Sequence, residues 1–560
     1  MRRLAAGLSN NLHRFRNSTL HTISLHNSLS NSPVLISSTS HFPTSPSPSP
    51  FNSIWYTCGP TVYDSTHLGH AFTYVTLDFY RRAILSNHKA TPSGFLFVLN
   101  ITDIDDKIID RASSQNIPPK QLARHYESEF FSDMDYLNVK RPDVVVRVTD
   151  HVDEIISYVS QILSNGYAYV DPPSGSVYFD TQSFESKGLN KYGKMAPPTS
   201  SVDFKPKHFD SPKSPLPPPP PSPKKDPRDF ALWKGCPPDT SPDISFPSPW
   251  GVGRPGWHVE CSAMIDYVSK ITNSQPSVHA GGIDLKFPHH TNEIAQAEAY
   301  HDFPSSDPSS SQWMNNWIHT GHLHINGAKM SKSLKNFVTI PQFRSMLQSS
   351  PKTGGDVFRW WALGMTGSHG SNAVWSEESM KEASSIHAKL VQFLLMARSY
   401  TNDKKSSKWT PSELGMRKHI EKFLTSKEQV LTGGRLLEAS ILTKQILILV
   451  SEAKSYMEKN EGAPEVIRNT VVDEIGDLLD LMGFTSYTSR PYNHEGGSGS
   501  GSGRDGVQVA KLFREFRENV RKSALQKDLN KGELLSLCDS VRDDPTLSRL
   551  GVFKADVKVV

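Results

Sequence analysis

Residues 55–71 read Trp55-Tyr56-Thr57-Cys58-Gly59-Pro60-Thr61-Val62-Tyr63-Asp64-Ser65-Thr66-His67-Leu68-Gly69-His70-Ala71. The pattern predicts a short apolar strand, a Gly-Pro break and then the start of a helix. A helix start carries unpaired backbone N–H groups and the positive end of the helix dipole, so a phosphate binds there without a special loop. His67 and His70 are three residues apart on the first turn, where both imidazoles can donate to phosphate oxygens. Taken alone, the motif also fits two surface histidines at a helix start.

A second cationic motif lies far downstream, at Lys329-Met330-Ser331-Lys332-Ser333. Two lysines at i, i+3, with small hydroxyl residues between them, suit a mobile loop that clamps a triphosphate. The compact ammonium charge needs no fixed fork geometry for this contact. Taken alone, a Lys/Ser run is by default a solvated loop.

The two motifs together, in this order, resemble the paired signatures of class I aminoacyl-tRNA synthetases. Three blocks between them narrow the resemblance to the cysteinyl-tRNA synthetase family: Asn100-Ile101-Thr102-Asp103-Ile104-Asp105-Asp106-Lys107, Gly256-Trp257-His258-Val259-Glu260-Cys261-Ser262-Ala263-Met264 and Phe287-Pro288-His289-His290-Thr291-Asn292-Glu293-Ile294-Ala295-Gln296. The resemblance implies an α/β fold class, with a Rossmann-type parallel-sheet catalytic domain that carries an inserted α+β segment. A C-terminal α-helical bundle is expected to follow it.

The same resemblance implies a metal site that holds one Zn²⁺ per chain. Its expected ligands are Cys58, Cys261, His289 and Glu293. Individually, the two cysteines also fit buried small residues, and His289 also fits a helix cap. Zinc with thiolate ligands prefers a substrate sulfur to a hydroxyl, whereas packing differences of about 1–3 kcal/mol would not separate cysteine from serine. Four protein ligands would close a tetrahedral site, so either Glu293 yields or the ion becomes five-coordinate.

The implied reaction is the activation of L-cysteine by ATP to cysteinyl-adenylate, followed by transfer to the 3′-terminal adenosine of tRNA(Cys). Mg²⁺ is expected with ATP. The residues expected to stabilise the departing pyrophosphate are His67, His70, Lys329 and Lys332. The ATP site is expected to include these four residues together with Gly282, Asp284, Ser331 and Ser333. Trp257 and Thr61 are expected in the cysteine pocket, although core packing explains Trp257 equally well.

Two departures from the family pattern affect the phosphate site. Phe72 stands where the family usually carries an arginine, and Lys335 replaces a frequent glycine after the lysine loop. Three clustered carboxylates, Asp103, Asp105 and Asp106, suggest either a metal site or structural and tRNA-end roles.

The length and composition set broad limits. A chain of 560 residues is too long for one core, and its net charge of +4 is compatible with a polyanionic partner without requiring one. Four cysteines in such a chain form no disulfide framework, so a reducing compartment is expected. No uninterrupted apolar run approaches the length needed to span a bilayer. Because no heptad seam is present, a monomer is expected.

The N-terminal segment has the composition of a transit peptide. Residues 1–63 contain no Asp or Glu, while arginines and serines are frequent. This favours import into a mitochondrion or plastid; the alternatives are an unimportant tail and a cytoplasmic enzyme.

Composition shifts also predict the domain boundaries. They are 1–22 for the transit peptide or tail, 23–117 for the first half of the catalytic fold, 118–228 for the insertion with its Pro-rich spacer, 229–345 for the second half with the lysine loop, 346–375 for a connecting segment, 376–495 for a helical tRNA-binding bundle, 496–503 for a Gly/Ser linker and 504–560 for a C-terminal helical unit.

Two rival functions fit parts of the pattern. A ligase that joins cysteine to an amino sugar resembles the catalytic half, but it would lack the long helical region after it. An inactive paralogue that only binds RNA would have no reason to keep the motif residues intact.

Overall fold

The computed structural model describes residues 22–37, 53–86, 94–186, 191–197, 224–302, 312–325, 327–330, 336–347, 353–368, 370–400, 411–432, 438–459 and 466–487. The predicted transit peptide falls outside these residues up to position 21, as do the proline run 215–223, the linker 496–503 and the C-terminal unit 504–560. Within the described part of the chain, no helix is long and apolar enough to cross a membrane.

The first elements form a hairpin and one half of a nucleotide-binding fold. They are the strands β1 (Thr22–Asn27), β2 (Ser32–Ser37) and β3 (Ser53–Thr57), the helix α1 (Leu68–Ser86), the strand β4 (Phe95–Ile101), the helices α2 (Asp106–Gln115) and α3 (Pro119–Tyr136), and the strand β5 (Val144–Arg147). Strand β4 is buried along its whole length, as its continuous apolar run predicts for a central parallel strand. Strand β5 joins the same sheet, although it lies within the range predicted as an insertion.

An antiparallel sheet follows. Its elements are α4 (Val152–Ser164), β6 (Ala168–Asp171), β7 (Ser176–Phe179), α5 (Thr181–Ser186), β8 (Phe230–Gly235) and β9 (Gly253–Pro255). The strands lie in the order β6-β7-β8-β9. The apolar residues of α4 recur at helical spacing, and Ile155, Val159 and Ile162 are buried.

The second half of the nucleotide-binding fold completes the central sheet. It contributes α6 (Trp257–Thr272), β10 (Gln275–Gly282), α7 (Thr291–His301) and β11 (Asn316–Thr320). The five strands are parallel and lie in the order β11-β10-β3-β4-β5. Because β3 has β4 on one side and β10 on the other, the strand order reverses there. In open α/β sheets, ligands collect at the carboxyl ends of the strands beside such a reversal.

Gly59 shows why the Gly-Pro break follows β3. A Cβ atom at this position would lie 1.6 Å from the carbonyl oxygen of Asn100, so only glycine fits. The Gly59 N–H also donates to Asn100 Oδ1 at 2.8 Å. The chain therefore leaves β3 in close contact with the end of β4.

A smaller sheet carries the start of the lysine motif. Its elements, with the helices that follow, are β12 (Leu323–Ile325), β13 (Ala328–Lys329), α8 (Ile340–Met346), α9 (Gly354–Arg359) and β14 (Ala373–Trp375). Strands β12 and β13 are antiparallel and pair Ile325 with Ala328, as the Asn-Gly dipeptide between these two residues predicts for a tight hairpin. Thr339 and Gln342 form a capping box at the start of α8.

The remaining described elements are helical: α10 (Glu377–Arg398), α11 (Pro411–Thr432), α12 (Ser440–Lys459) and α13 (Val472–Leu481). Apolar residues recur at helical spacing along α12 and α13, and Ile446, Leu449, Ile475 and Leu478 are buried. The chain divides into two compact units. One comprises the described residues within Ser9–Met380 and Lys427–Ile441 and holds the sheets described above. The other comprises the described residues within Lys381–Ser426 and Leu442–Val560 and is helical. This pattern confirms the predicted fold class.

Candidate metal centre and nucleotide site

Four side chains from three distant parts of the sequence converge on one point. The Sγ atoms of Cys58 and Cys261 are 3.8 Å apart, and His289 Nε2 lies 3.7 Å from the first and 3.6 Å from the second. Glu293 Oε1 lies 3.1 Å from His289 Nε2 and 4.0 Å from Cys58 Sγ. All four side chains are buried, and they form a group that could hold a metal ion.

The spacing of these donor atoms fits tetrahedral coordination. With Zn–S bonds of about 2.3 Å and Zn–N bonds of about 2.0–2.1 Å, tetrahedral geometry separates two sulfurs by about 3.8 Å and a sulfur from a nitrogen by about 3.6 Å. The observed separations are 3.8 Å for the sulfurs and 3.6–3.7 Å for each sulfur and His289 Nε2. The Glu293 oxygen, at 4.0 Å from Cys58 Sγ, is the least well placed of the four.

The parallel sheet and its helices bring these residues together. Cys58 directly follows β3, where its N–H donates to Ala280 O at 3.1 Å and its carbonyl accepts from the Tyr74 hydroxyl at 3.0 Å. Cys261 lies in the second turn of α6. His289 is four residues before Glu293; it lies in the helical turn that follows a kink at Phe287 (φ −143°, ψ 131°) and precedes the first residue of α7, Thr291. The two side chains still meet because the turn continues directly into α7.

Two further histidines hold the candidate ligands in place. His258 Nδ1 is 2.9 Å from His289 Nδ1, and His279 Nε2 is 2.8 Å from Glu293 Oε2. Burial lowers the pKa of His258 and of His279 to about 3, so both rings are neutral. Partners of this kind fix the orientation of metal ligands in proteins. Sequence reasoning missed both residues, although His258 stands inside one of the family blocks.

A second possible donor set shares part of the first. Cys58 and Glu293 also lie near His279 and His290, and His290 Nε2 is 3.4 Å from Cys58 Sγ. His290 Nδ1 is in turn 2.7 Å from His319 Nε2. This set offers one sulfur instead of two, so a thiophilic ion favours the set with Cys261.

The structure places the two residues expected in the cysteine pocket differently. Trp257 is stacked on His289, with ring centroids 4.3 Å apart, and is 37% exposed. It therefore covers a candidate ligand from the solvent side instead of filling the core. Thr61 forms a parallel backbone bridge with Thr102 at the ends of β3 and β4.

The two histidines of the opening motif pack against each other at the start of α1. Their rings are stacked with centroids 3.9 Å apart. His67 Nδ1 accepts from the Gly69 N–H at 3.1 Å, so this side chain also caps the helix that follows it. The capping contact was not foreseen from the sequence.

Part of the expected ATP site is described. Lys329 Nζ lies 3.5 Å from Asp284 Oδ2, which joins the start of the lysine motif to the turn after β10. A Cβ atom on Gly282 would lie 2.6 Å from Asp284 Oδ1, so a larger residue would displace this carboxylate. Ser331, Lys332, Ser333 and Lys335 lie outside the described residues.

The three clustered carboxylates after β4 have structural partners. Asp103 accepts from the Thr149 N–H at 3.0 Å and from its hydroxyl at 2.6 Å, and Asp105 caps α2. Asp106 pairs with Lys234 at 2.6 Å and also with Arg254. These contacts favour the structural explanation over a metal site.

Comparisons with known proteins place the fold in a class. A family model described as the class I (C) tRNA synthetase catalytic domain matches residues 49–385. The solved structure of LeuRS from Agrobacterium radiobacter K84, in a ternary complex with tRNA and LeuAMS, matches with a TM-score of 0.53 and 11% identity, over 80% of this chain and 88% of that chain. Mycobacterium tuberculosis methionyl-tRNA synthetase bound by methionyl-adenylate matches with a TM-score of 0.50 and 14% identity, over 75% and 88%. The fold is that of a class I tRNA synthetase.

Curated relatives narrow the class to one family. The cytoplasmic cysteine–tRNA ligase of Dictyostelium discoideum is 36% identical over 89% of this chain and 72% of the relative. The cysteine–tRNA ligase of Encephalitozoon cuniculi is 34% identical over 87% and 90%. The probable mitochondrial cysteine–tRNA ligase of Xenopus tropicalis is 42% identical over 63% of this chain and 54% of the relative. The chain belongs to the cysteine–tRNA ligase family, which confirms the resemblance recognised in its motifs.

Proposed function

We propose that this protein activates L-cysteine with ATP and transfers the cysteinyl group to the 3′-terminal adenosine of tRNA(Cys). The single observation that carries the proposal is the convergence of Cys58, Cys261, His289 and Glu293 next to the carboxyl ends of β3 and β10. The membership of the cysteine–tRNA ligase family supports it.

The metal of the site is proposed to be zinc, with one ion per chain. Two thiolates, an imidazole and a carboxylate are ligands that zinc accepts, and the donor spacing fits its tetrahedral geometry. When bound, a thiolate-ligated zinc ion would supply a soft Lewis acid that prefers the substrate's sulfur to a hydroxyl. This preference would reject serine without an editing domain, where packing alone supplies only about 1–3 kcal/mol.

Glu293 is the ligand proposed to yield a position for the substrate's sulfur. Its Oε1 is 4.0 Å from Cys58 Sγ, further than a tetrahedral partner should lie, while its Oε2 is held by His279 at 2.8 Å. His279 would therefore hold this carboxylate in place whether or not its Oε1 contacts a metal ion. Trp257, stacked on His289, is proposed to close the amino-acid pocket.

In the first chemical step, the carboxylate of cysteine attacks the α-phosphorus of ATP and pyrophosphate leaves. His67, His70, Lys329 and Lys332 are proposed to stabilise the negative charge that develops on the pyrophosphate side. Asp284 and Gly282 would receive the ribose, and Ser331 and Ser333 would contact phosphate oxygens. Mg²⁺ enters as the complex with ATP.

In the second step, a hydroxyl of the terminal adenosine of tRNA attacks the activated carbonyl and AMP leaves. No side chain is proposed as a nucleophile, because positioning and electrostatic stabilisation account for the rate of both steps.

The decisive experiment is cysteine-dependent exchange between ATP and pyrophosphate by zinc-replete protein. Exchange without tRNA, followed by cysteinylation of tRNA(Cys), is the expected result. Absence of exchange would overturn the proposal and leave the RNA-binding paralogue, whereas transfer to an amino sugar in place of tRNA would identify the rival ligase. The family relatives support neither rival.

We also propose that the protein is imported into an organelle and that it is a monomer. The family includes mitochondrial and cytoplasmic forms. The acid-free N-terminus favours import into a mitochondrion or plastid, which sequencing of the mature N-terminus from fractionated cells would test. A monomer is expected, and light scattering on the purified protein would measure it.

A further inference from the structure

A short segment, residues 191–197, contacts the helix that carries Glu293. The Tyr192 hydroxyl donates to Asn292 Oδ1 at 2.7 Å, and both side chains are buried. Asn292 is the residue immediately before Glu293 on α7. This hydrogen bond therefore attaches the segment to the helix at the level of the candidate metal ligand.

A second attachment lies further along the same helix. Lys194 Nζ donates to Glu298 Oε1 at 2.5 Å, and the Glu298 side chain is 2% exposed. Asn292 and Glu298 are six residues apart, which corresponds to about 9 Å along a helix axis. The segment between the two attachments is a turn, in which the Ala196 N–H donates to Gly193 O at 2.9 Å, so a compact piece of chain contacts α7 at two levels.

Tyr192 also contacts the aromatic side chains that pack around His289, a second candidate ligand. Its ring is stacked near Phe230, with centroids 6.2 Å apart, and Phe230 meets the edge of His258 at 5.8 Å. His258 Nδ1 lies 2.9 Å from His289 Nδ1. One side chain therefore touches both the helix that presents Glu293 and the packing that orients His289.

We propose that Lys191–Pro197 is a positioning strap for the metal centre, and that the Tyr192 hydroxyl sets how firmly the metal is held and how well cysteine is selected. This inference rests on the proposed function, because it assumes that the four donors bind the metal that reads the substrate's sulfur. Tyr192 itself touches neither the donors' coordinating atoms nor the expected substrate; it acts through Asn292 and Phe230.

Loss of the Tyr192 hydroxyl should weaken metal binding because a metal site depends on the exact orientation of its ligands. Partners outside the ligand set hold ligands in their binding orientation, and their loss typically lowers metal affinity by about 10–100-fold. Without the hydrogen bond to Tyr192, Asn292 is left with a buried acceptor that has lost its donor. Relief of that cost by a small movement of α7 would carry Glu293 with it.

The test compares Tyr192→Phe with a matched variant, Tyr167→Phe. Tyr167 is also buried, and its hydroxyl donates to Asp302 Oδ1 at 2.6 Å, just beyond the end of the same helix. Both variants lose one buried hydroxyl that contacts this part of the chain, but only Tyr192 belongs to the strap. The measurements are the rate of zinc release to a colorimetric chelator and the thermal midpoint of each metal-free protein.

The expected result is zinc release about ten-fold faster from Tyr192→Phe than from the wild type, with a higher KM for cysteine and an unchanged KM for ATP. Tyr167→Phe should release zinc at the wild-type rate, although both metal-free variants lose a similar amount of thermal stability. Equal release rates for the wild type and Tyr192→Phe, or equal acceleration in both variants, would overturn the strap proposal.

A second variant covers the case in which Tyr192→Phe does not fold. Lys194→Met removes the other attachment of the strap and should also accelerate zinc release; an unchanged rate would refute the proposal. If the wild type binds no zinc or shows no exchange with cysteine, the proposed function fails. If the wild type passes both tests and the variants match it, only the strap inference fails.

Discussion

The Sγ atoms of Cys58 and Cys261 lie 3.8 Å apart, although 203 residues separate the two cysteines in the chain. This distance is far longer than a disulfide bond of about 2.05 Å. Burial raises the pKa of both thiols, so without a cation nearby they keep their protons. A metal ion between them would reverse this preference, because a coordinated thiol loses its proton. The two cysteines are thus placed to bind one metal ion together.

Replacement of either cysteine should remove the metal and the selectivity together. We expect Cys58→Ser and Cys261→Ser to lose bound zinc and to reduce cysteine-dependent pyrophosphate exchange by about 100-fold or more, because zinc would lose one of two soft ligands. Metal analysis of the purified protein and the exchange assay measure these effects. Cys236→Ser is the matched control, since Cys236 is a half-buried free thiol near Arg254 and outside the cluster. Full zinc content in Cys261→Ser would contradict the ligand assignment.

His279, which contacts the candidate ligand Glu293, should affect zinc affinity less than the ligands themselves do. His279→Gln removes the contact at 2.8 Å to Glu293 Oε2, and we expect a loss of about 10–100-fold in zinc affinity with the fold retained. Competition with a zinc indicator measures this loss. His125→Gln, at a side chain that is 68% exposed on α3, serves as the control. Wild-type affinity in His279→Gln would show that Glu293 does not depend on this partner.

Much of the fold was predictable from local patterns. The continuous apolar run of Phe95–Leu99 predicts the buried parallel strand β4. Gly59-Pro60 predicts the break in the chain after the neighbouring strand β3. Both signals work because the central strands are covered on both faces. The strap Lys191–Pro197 has no comparable periodicity, so its attachment to α7 depends on contacts that only the folded chain reveals.

The candidate ligands could be identified from the family blocks, whereas the supporting residue His279 lies outside those blocks. His279 and His319 lie two residues apart in register on the paired strands β10 and β11, since His319 pairs with Gly281. Side chains at every second position share one face of a sheet, so strand alternation was the available signal. Strand alternation alone does not show that the two histidines are neighbours, because this also requires knowing that β10 pairs with β11. The kink at Phe287, just before the turn that carries His289, has no sequence pattern that predicts it.

The missing arginine at position 72 has a structural explanation that can be tested. Phe72 is fully buried on α1 and meets the Trp361 ring edge-to-face at 6.0 Å. We expect Phe72→Ala to lower the free energy of unfolding by about 3–5 kcal/mol and Phe72→Leu to cost less than about 1.5 kcal/mol. Phe72→Arg should destabilise the protein strongly. It would bury a cation beside the Trp361 ring, and burying a charge without a counter-charge is costly. Chemical denaturation measures all three, and a stable Phe72→Arg variant with faster exchange would show that position 72 can reach the phosphates.

The carboxyl group of Asp133 on α3 should make stability depend on pH. Burial, with a contribution from Glu129, raises the pKa of Asp133 to about 7, while Arg344 at 3.8 Å partly opposes the rise. The unfolded pKa is lower, so the folded state binds the extra proton between about pH 4 and pH 7, and stability falls as pH rises through this window. Asp133→Asn has no charge to bury and should exceed the wild type by on the order of 2 kcal/mol at pH 8, with the difference shrinking toward pH 5. Thermal midpoints across this range measure the trend, with Asp135→Asn as an exposed control on the same helix. A constant difference across the range would mean that Asp133 is ionised throughout and that Arg344 neutralises it fully.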